Sequence, residues 1–150
     1  MTAMNAGDRR LTAKWGDGLV TFKFDLPVKG GDFINAGSLV VLNSDGTLSP
    51  GSTATGLVAM GRADFQVDNT ASLSPAPLCR VTTGVFSWVN HSNEFDDGDI
   101  GSVAYVADDQ TVTNSSSGTS PAGIFMGLDD DGQAKVAMSP LLARLMIDNT

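Results

Sequence analysis

The sequence predicts a mainly β fold: a compact antiparallel β-barrel or sandwich of short hairpins, with an extended N-terminal arm and one short C-terminal helix. Three observations lead there. Residues 101–138 contain two hairpin-like units, Val103–Val106 returning at Thr111-Val112-Thr113, and Ile124-Phe125-Met126 returning at Ala134, Val136 and Met138. Period-two alternation broken by Asp and Gly marks strands with one buried face. The chain also carries 17 glycines among many Ser, Thr, Asn and Asp, which implies frequent turns and short strands. Finally, 150 residues at 41% apolar content suffice for one domain with a real core.

Taken in order, residues 1–18 are polar and without periodicity, and read as a flexible arm ahead of a single β-rich domain at 19–150. Trp15 is the large apolar group of that arm. Leu19 to Leu26 alternates, with Val20, Phe22, Phe24 and Leu26 on one face, and Pro27 ends its ladder. Gly37-Ser38-Leu39-Val40-Val41-Leu42 predicts the next strand, turning at Asn43 to Gly46. Gly56 to Arg62 is a continuous apolar run, expected to be buried on both faces. Asp64 to Pro77 reads as a long surface loop. Leu78 to Val89 returns to strand, with a bulge or bend at Gly84. Ser139-Pro140 offers an N-cap and a first helical proline. The helix that follows, with Leu141, Leu142, Leu145 and Met146 on one side, is expected to close the bottom of the barrel.

The hairpins repeat. Gly37–Leu42 followed by Asp45-Gly46-Thr47-Leu48 parallels Gly101–Val106 followed by Asp109-Gln110-Thr111-Val112, and Gly56-Leu57-Val58 parallels Gly123-Ile124-Phe125. Two copies are too few for a solenoid but fit a barrel or sandwich of two similar halves. The plainer reading is that hairpins resemble one another.

Net charge is −8, unevenly spread. Residues 1–30 carry five bases and three acids, whereas residues 31–150 carry four bases and fourteen acids. An acidic body argues against nucleic acid as the partner, because phosphate contacts need clustered Lys and Arg. No run approaches the ~18 apolar residues of a membrane helix, so no membrane partner is expected. One cysteine, Cys79, excludes an internal disulfide framework and points to an intracellular origin.

Catalytic equipment is sparse. His91 has no nucleophile motif nearby, and a triad needs three groups in reach. Cys79 alternates with apolar neighbours and reads as a small buried hydrophobe. Zinc lacks His and Cys ligands. Asp96-Asp97-Gly98-Asp99 and Asp129-Asp130-Asp131-Gly132 offer oxygens for calcium, but without EF-hand spacing they read as turn formers. No enzyme activity, cofactor or metal is expected. The residues describe a binding or assembly domain.

Three segments, GVFSWVN (residues 84–90), DIGSVAYVADDQTV (99–112) and SPAGIFMGLDDDGQAKVAM (120–138), give the chain a resemblance to head decoration, or cement, proteins of tailed bacteriophages. One departure is Lys135, where relatives often carry an aromatic. The resemblance implies a β-rich domain on the outer capsid surface of a virion, bound to the major capsid protein and assembled as a homotrimer. Arg9, Arg10, Lys14 and Trp15 of the arm are the expected capsid-binding residues, and removal of the arm is expected to leave the domain folded. The rival reading is a virion-exposed receptor- or carbohydrate-binding module using Trp88 or Tyr105 as a stacking platform.

Overall fold

The computed structural model describes residues 2–16 and 22–148. The chain is mainly β, with thirteen strands among the described residues: β1 (Lys14–Gly16), β2 (Lys23–Pro27), β3 (Phe33–Ile34), β4 (Leu39–Leu42), β5 (Leu48–Pro50), β6 (Val58–Ala63), β7 (Val67–Asp68), β8 (Leu78–Thr82), β9 (Gly84–Asn90), β10 (Val103–Val106), β11 (Thr111–Thr113), β12 (Pro121–Leu128) and β13 (Ala134–Met138). One helix, α1 (Pro140–Asp148), follows.

Strands β9, β13, β12, β10 and β11 form a closed barrel. Each neighbouring pair is antiparallel except β11 with β9, where Thr111 and Val112 run parallel to Val89 and Asn90. Strands β2, β8, β6, β4 and β5 repeat that order. Their ring meets through a single parallel bridge, Val28 to Leu48, supported by Lys29 N–H donating to the Leu48 carbonyl at 2.9 Å. The two halves therefore share one topology, with the first strand joined in parallel to the third.

The registers fix which residues correspond. Phe24 matches Phe86, Leu26 matches Trp88, and Leu48 matches Val112. In each copy the pairing of the second and fourth strands slips at one place, between Val40 and Val41 and between Ala104 and Tyr105. The extra residues are Met60 and Ala122, and Gly61 and Gly123 stand beside them on the bulged strand. A Cβ on Gly61 would collide with the Thr82 carbonyl, and one on Gly123 with the equivalent Ala137 carbonyl. The sequence match of Gly56 to Gly123 is thereby corrected: Gly61 is the counterpart. Similarity of short motifs could not see a bulge whose reason is a close backbone approach.

Other expectations shift too. Residues 19–21 of the first expected strand lie outside the described residues, and β2 begins at Lys23. The expected loop Asp64 to Pro77 contains β7, which pairs with β3 and brings Ile34 and Val67 onto one end of the first barrel's core. The run Leu78 to Val89 is two strands of different sheets. The break at Thr83 carries the chain from one barrel to the next.

Strand β6 is buried on both faces, as its apolar run predicts. Met60 and Ala63 join the core of the first barrel, while Val58 and Ala59 pack with Leu39 and Val41 against the second. Helix α1 sits on that seam, against β6 and β12, rather than under either barrel. Its buried face is Ala143 and Met146, with Leu142 and Ile147 partly covered; Leu141 and Leu145 point out. Ser139 caps it, its hydroxyl accepting from Leu142 N–H at 3.2 Å. The second core is the larger, built on Trp88, Phe86 and Phe125, with Phe95 stacked on Phe125 at 4.7 Å.

Gly123→Ala is expected to cost about 3 kcal/mol in urea unfolding, because a methyl overlaps backbone that cannot yield. Gly132→Ala, at a positive-φ turn with open space around it, should cost about 1 kcal/mol.

Candidate functional site

Residues 2–16 cross both barrels, with one turn closed by Asp8 N–H donating to the Asn5 carbonyl, and are tied down along their length. Met4 N–H donates to Asp109 Oδ1 in the β10–β11 turn at 2.9 Å. Gly7 N–H donates to Asn35 Oδ1 at 2.9 Å, on the first barrel. Arg10 N–H reaches the Ala36 carbonyl, and the Thr12 hydroxyl donates to the Gly37 carbonyl at 2.6 Å. Strand β1 then lies antiparallel on the edge of β9, ahead of the stretch that β11 occupies. Ser87 N–H donates to the Ala13 carbonyl at 3.3 Å. The proposed division at residue 18 falls outside the described residues.

Arg10 turns inward. Its guanidinium donates to the Ser87 carbonyl at 3.4 Å, to Gln110 Oε1 at 3.3 Å and to Gln133 Oε1, and it stands 5.8 Å from the ring centre of Trp88. Burial pulls this guanidinium below its ordinary value, while Asp108, Asp129 and Asp109 pull the other way. Arg10 is half-buried against the second barrel: its two terminal nitrogens are committed to these partners, while its Nε is buried with no partner among the described residues. Burial likewise pushes the Asp109 carboxyl up, against hydrogen bonds from Met4 and Asn35 that favour the charged form.

Trp15 is held at one edge and open at the other. Its Nε1 donates to Ser87 Oγ at 2.7 Å, and that hydroxyl donates to Asp129 Oδ2 at 2.7 Å. Lys135 Nζ lies over the indole, 5.2 Å from its centre. Lys135 thus meets the arm's tryptophan. Burial works to raise Asp129, but hydrogen bonds from Ser87, Gln133 and Asp131 outweigh it and hold that carboxylate below its usual range. Trp15 remains 53% exposed.

The structure therefore separates the four expected residues. Arg9 and Lys14 are exposed, Trp15 is half open, and Arg10 is half-buried with its guanidinium turned toward the second barrel. It adds Leu11, at 86% the most exposed large hydrophobic side chain among the described residues. Nothing in the sequence distinguished this leucine from a core residue. Between the arm and the first barrel runs a groove of about 570 Å³ lined by Arg9, Arg10, Lys23 and Arg62 with Asp64. Arg62 is already engaged, donating to the Thr12 carbonyl and to Asp64.

The remaining candidates take structural places. Asp96 and Asp99 form a reciprocal cap on the short turn Asp97–Asp99, and Asp97 accepts from Leu128 N–H. Asp129 Oδ1 accepts from the Asp131 and Gln133 amides. Among the described residues no group of three acidic, His or Cys side chains is placed to hold an ion. His91 opens a 3₁₀ turn after β9, and among the described residues no hydrogen bond joins its ring to a nucleophile. Trp88 is fully buried, so it offers no stacking platform. The expectation that the domain folds without its arm meets a physical objection: removal would strip a strand from β9 and open the barrel mouth.

No family model, no curated protein and no solved structure matches this chain.

Cys79, inside the first barrel, is pushed up to about 12, by burial first and then by Asp64 and Asp25. At pH 8 only about one thiol in ten thousand would then be thiolate. An aromatic disulfide reagent at that pH should leave native protein unlabelled and titrate one thiol per chain in urea.

Proposed function

We propose that this chain is a capsid decoration protein, binding the outer surface of a bacteriophage's major capsid shell as a homotrimer and stabilising the head. The observation that carries the reading is the arm. It crosses both barrels, its backbone is fastened at Asp109, Asn35, Ala36 and Ser87, and Arg9 and Leu11 face away from the body. The order of motifs from Gly84 to Met138 supports the same reading.

Physical reasons make this arrangement suited to cementing. A clamp stabilises an assembled shell only to the extent that it binds the shell and not free subunits. A trimer sums three weak contacts, and each gains when its groups are already ordered. An arm pinned by backbone hydrogen bonds has lost its conformational freedom before binding, so an exposed leucine on it meets the partner without that cost. Arg9 beside it supplies a charge to a carboxylate-bearing surface. The four arm residues first expected to bind are thereby revised to Arg9, Leu11, Lys14 and Trp15, with Arg10 holding the platform.

Cosedimentation with empty expanded shells tests the assignment. Leu11→Asp should reduce occupancy at least about tenfold, by placing a charge in an apolar contact, and Arg9→Ala should act in the same direction more weakly. Leu73→Asp, at an exposed leucine off the arm, should bind like wild type. Equal occupancy for Leu11→Asp and Leu73→Asp would remove the arm from the contact.

A further inference from the structure

The two barrels differ in one respect that their shared topology exposes. In β9, the edge away from β13 is occupied twice, first by β1 and then by β11. The Ser87 amide bonds Ala13 and the Val89 amide bonds Gln110. In the first barrel the corresponding strand is β2, with Lys23 in the place of Val85 and Asp25 in that of Ser87. Strand β5 reaches β2 only at Val28. Among the described residues nothing pairs with the edge at Lys23 and Asp25.

Alternation along the ladder shows where the free groups point. The Phe22 carbonyl accepts from Thr83 N–H, and Val28 N–H donates to the Pro77 carbonyl, so the even-numbered residues face β8. The N–H and C=O of Lys23 and Asp25 point the other way. Beside this edge lies an apolar cleft of about 330 Å³, lined by Phe22, Phe24, Pro140 and Leu141. Phe86, behind β1, is fully buried; its counterpart Phe24 is only partly so, and Phe22 is 54% exposed. In the second barrel the stem of Lys14 lies over Gly84, the position equivalent to Phe22. In the first, Phe22 itself holds that space, 4.7 Å from Phe24. An incoming side chain would therefore stack on the Phe22 ring.

We propose that the Lys23–Asp25 edge of β2 is a strand-addition site that receives an extended peptide segment of the shell subunit, with one apolar side chain in the Phe22–Leu141 cleft. Main-chain hydrogen bonds supply affinity in this mode, and the cleft supplies selectivity. A second copy of this chain is a poor donor, because its own extended segment is consumed at Met4, Gly7, Arg10 and Ala13. Pro27 lacks the donor that Val89 uses in the other barrel, which limits the addition to a short strand.

The inference rests on the decoration reading and is tested separately from it. Asp25→Pro removes an outward N–H without touching the β8 ladder, and Asp25→Ala controls for the exposed ion pair with Arg80. On empty expanded shells, Asp25→Pro should bind about tenfold more weakly than Asp25→Ala. Should Asp25→Pro fail to fold, Lys23→Pro against Lys23→Ala carries the same comparison. Equal binding within the folded pair would overturn the strand-addition site while leaving the decoration reading intact. Wild-type protein that never sediments with shells would remove both. A dimer of the free wild type that Asp25→Pro abolishes would overturn the shell segment as occupant and put a second copy in its place.

Discussion

Each barrel depends on a short parallel pairing between its first and third strands. Antiparallel neighbours can be joined by tight turns, but a parallel pair needs a longer path between its members. Here the second strand supplies that path, and the bulge beside Gly61 or Gly123 bends the wall so that the ring meets itself. The same constraint appears twice, with the same strand order and a glycine at the corresponding bulge, which a chance likeness between hairpins would not produce. Closure also settles what is left over. The parallel contact covers only the far end of the first strand, so its near end remains an edge in both copies.

The two edges meet different fates, and the difference organises the molecule. On β9 the edge is filled by the protein's own arm, whose Arg10 enters the barrel mouth over Trp88. Burying a guanidinium is costly unless its donors are met; two glutamines and a backbone carbonyl meet those of its terminal nitrogens, and Nε is left without a partner among the described residues. Because the arm is held at both barrels, its outward residues are carried on a fixed platform. Among the described residues the β2 edge carries only charged side chains and Pro27, devices that blunt an edge without covering it.

Much of this was legible in residues. Period-two alternation marked β10 to β13, the apolar run at Gly56 to Arg62 marked a strand covered on both faces, and Ser139-Pro140 marked the helix start. The internal likeness was visible at Gly37 and Gly101. Its extent was not, because the corresponding glycines are set by a carbonyl across the barrel rather than by neighbouring sequence. The break at Thr83 was hidden for a related reason: two strands of similar composition meet end to end with no polar linker between them. At the candidate site, Arg9, Lys14 and Trp15 stood out by type. The inward turn of Arg10 and the outward turn of Leu11 depend on partners far along the chain, at Gln110, Gln133 and Ala36, and hydrophobicity alone assigns both residues to the wrong side.

A duplicated barrel in which one copy is sealed by the arm and the other, among the described residues, keeps an open edge makes a sharp physical statement about two amides in corresponding places. Native-state hydrogen exchange on the free protein reads both at once. The Ser87 amide should exchange slowly, with the stability of the barrel, and the Asp25 amide should exchange near the rate of an unstructured peptide. Comparable protection at the two positions would contradict the account, since it would mean that the arm is not what distinguishes the two halves.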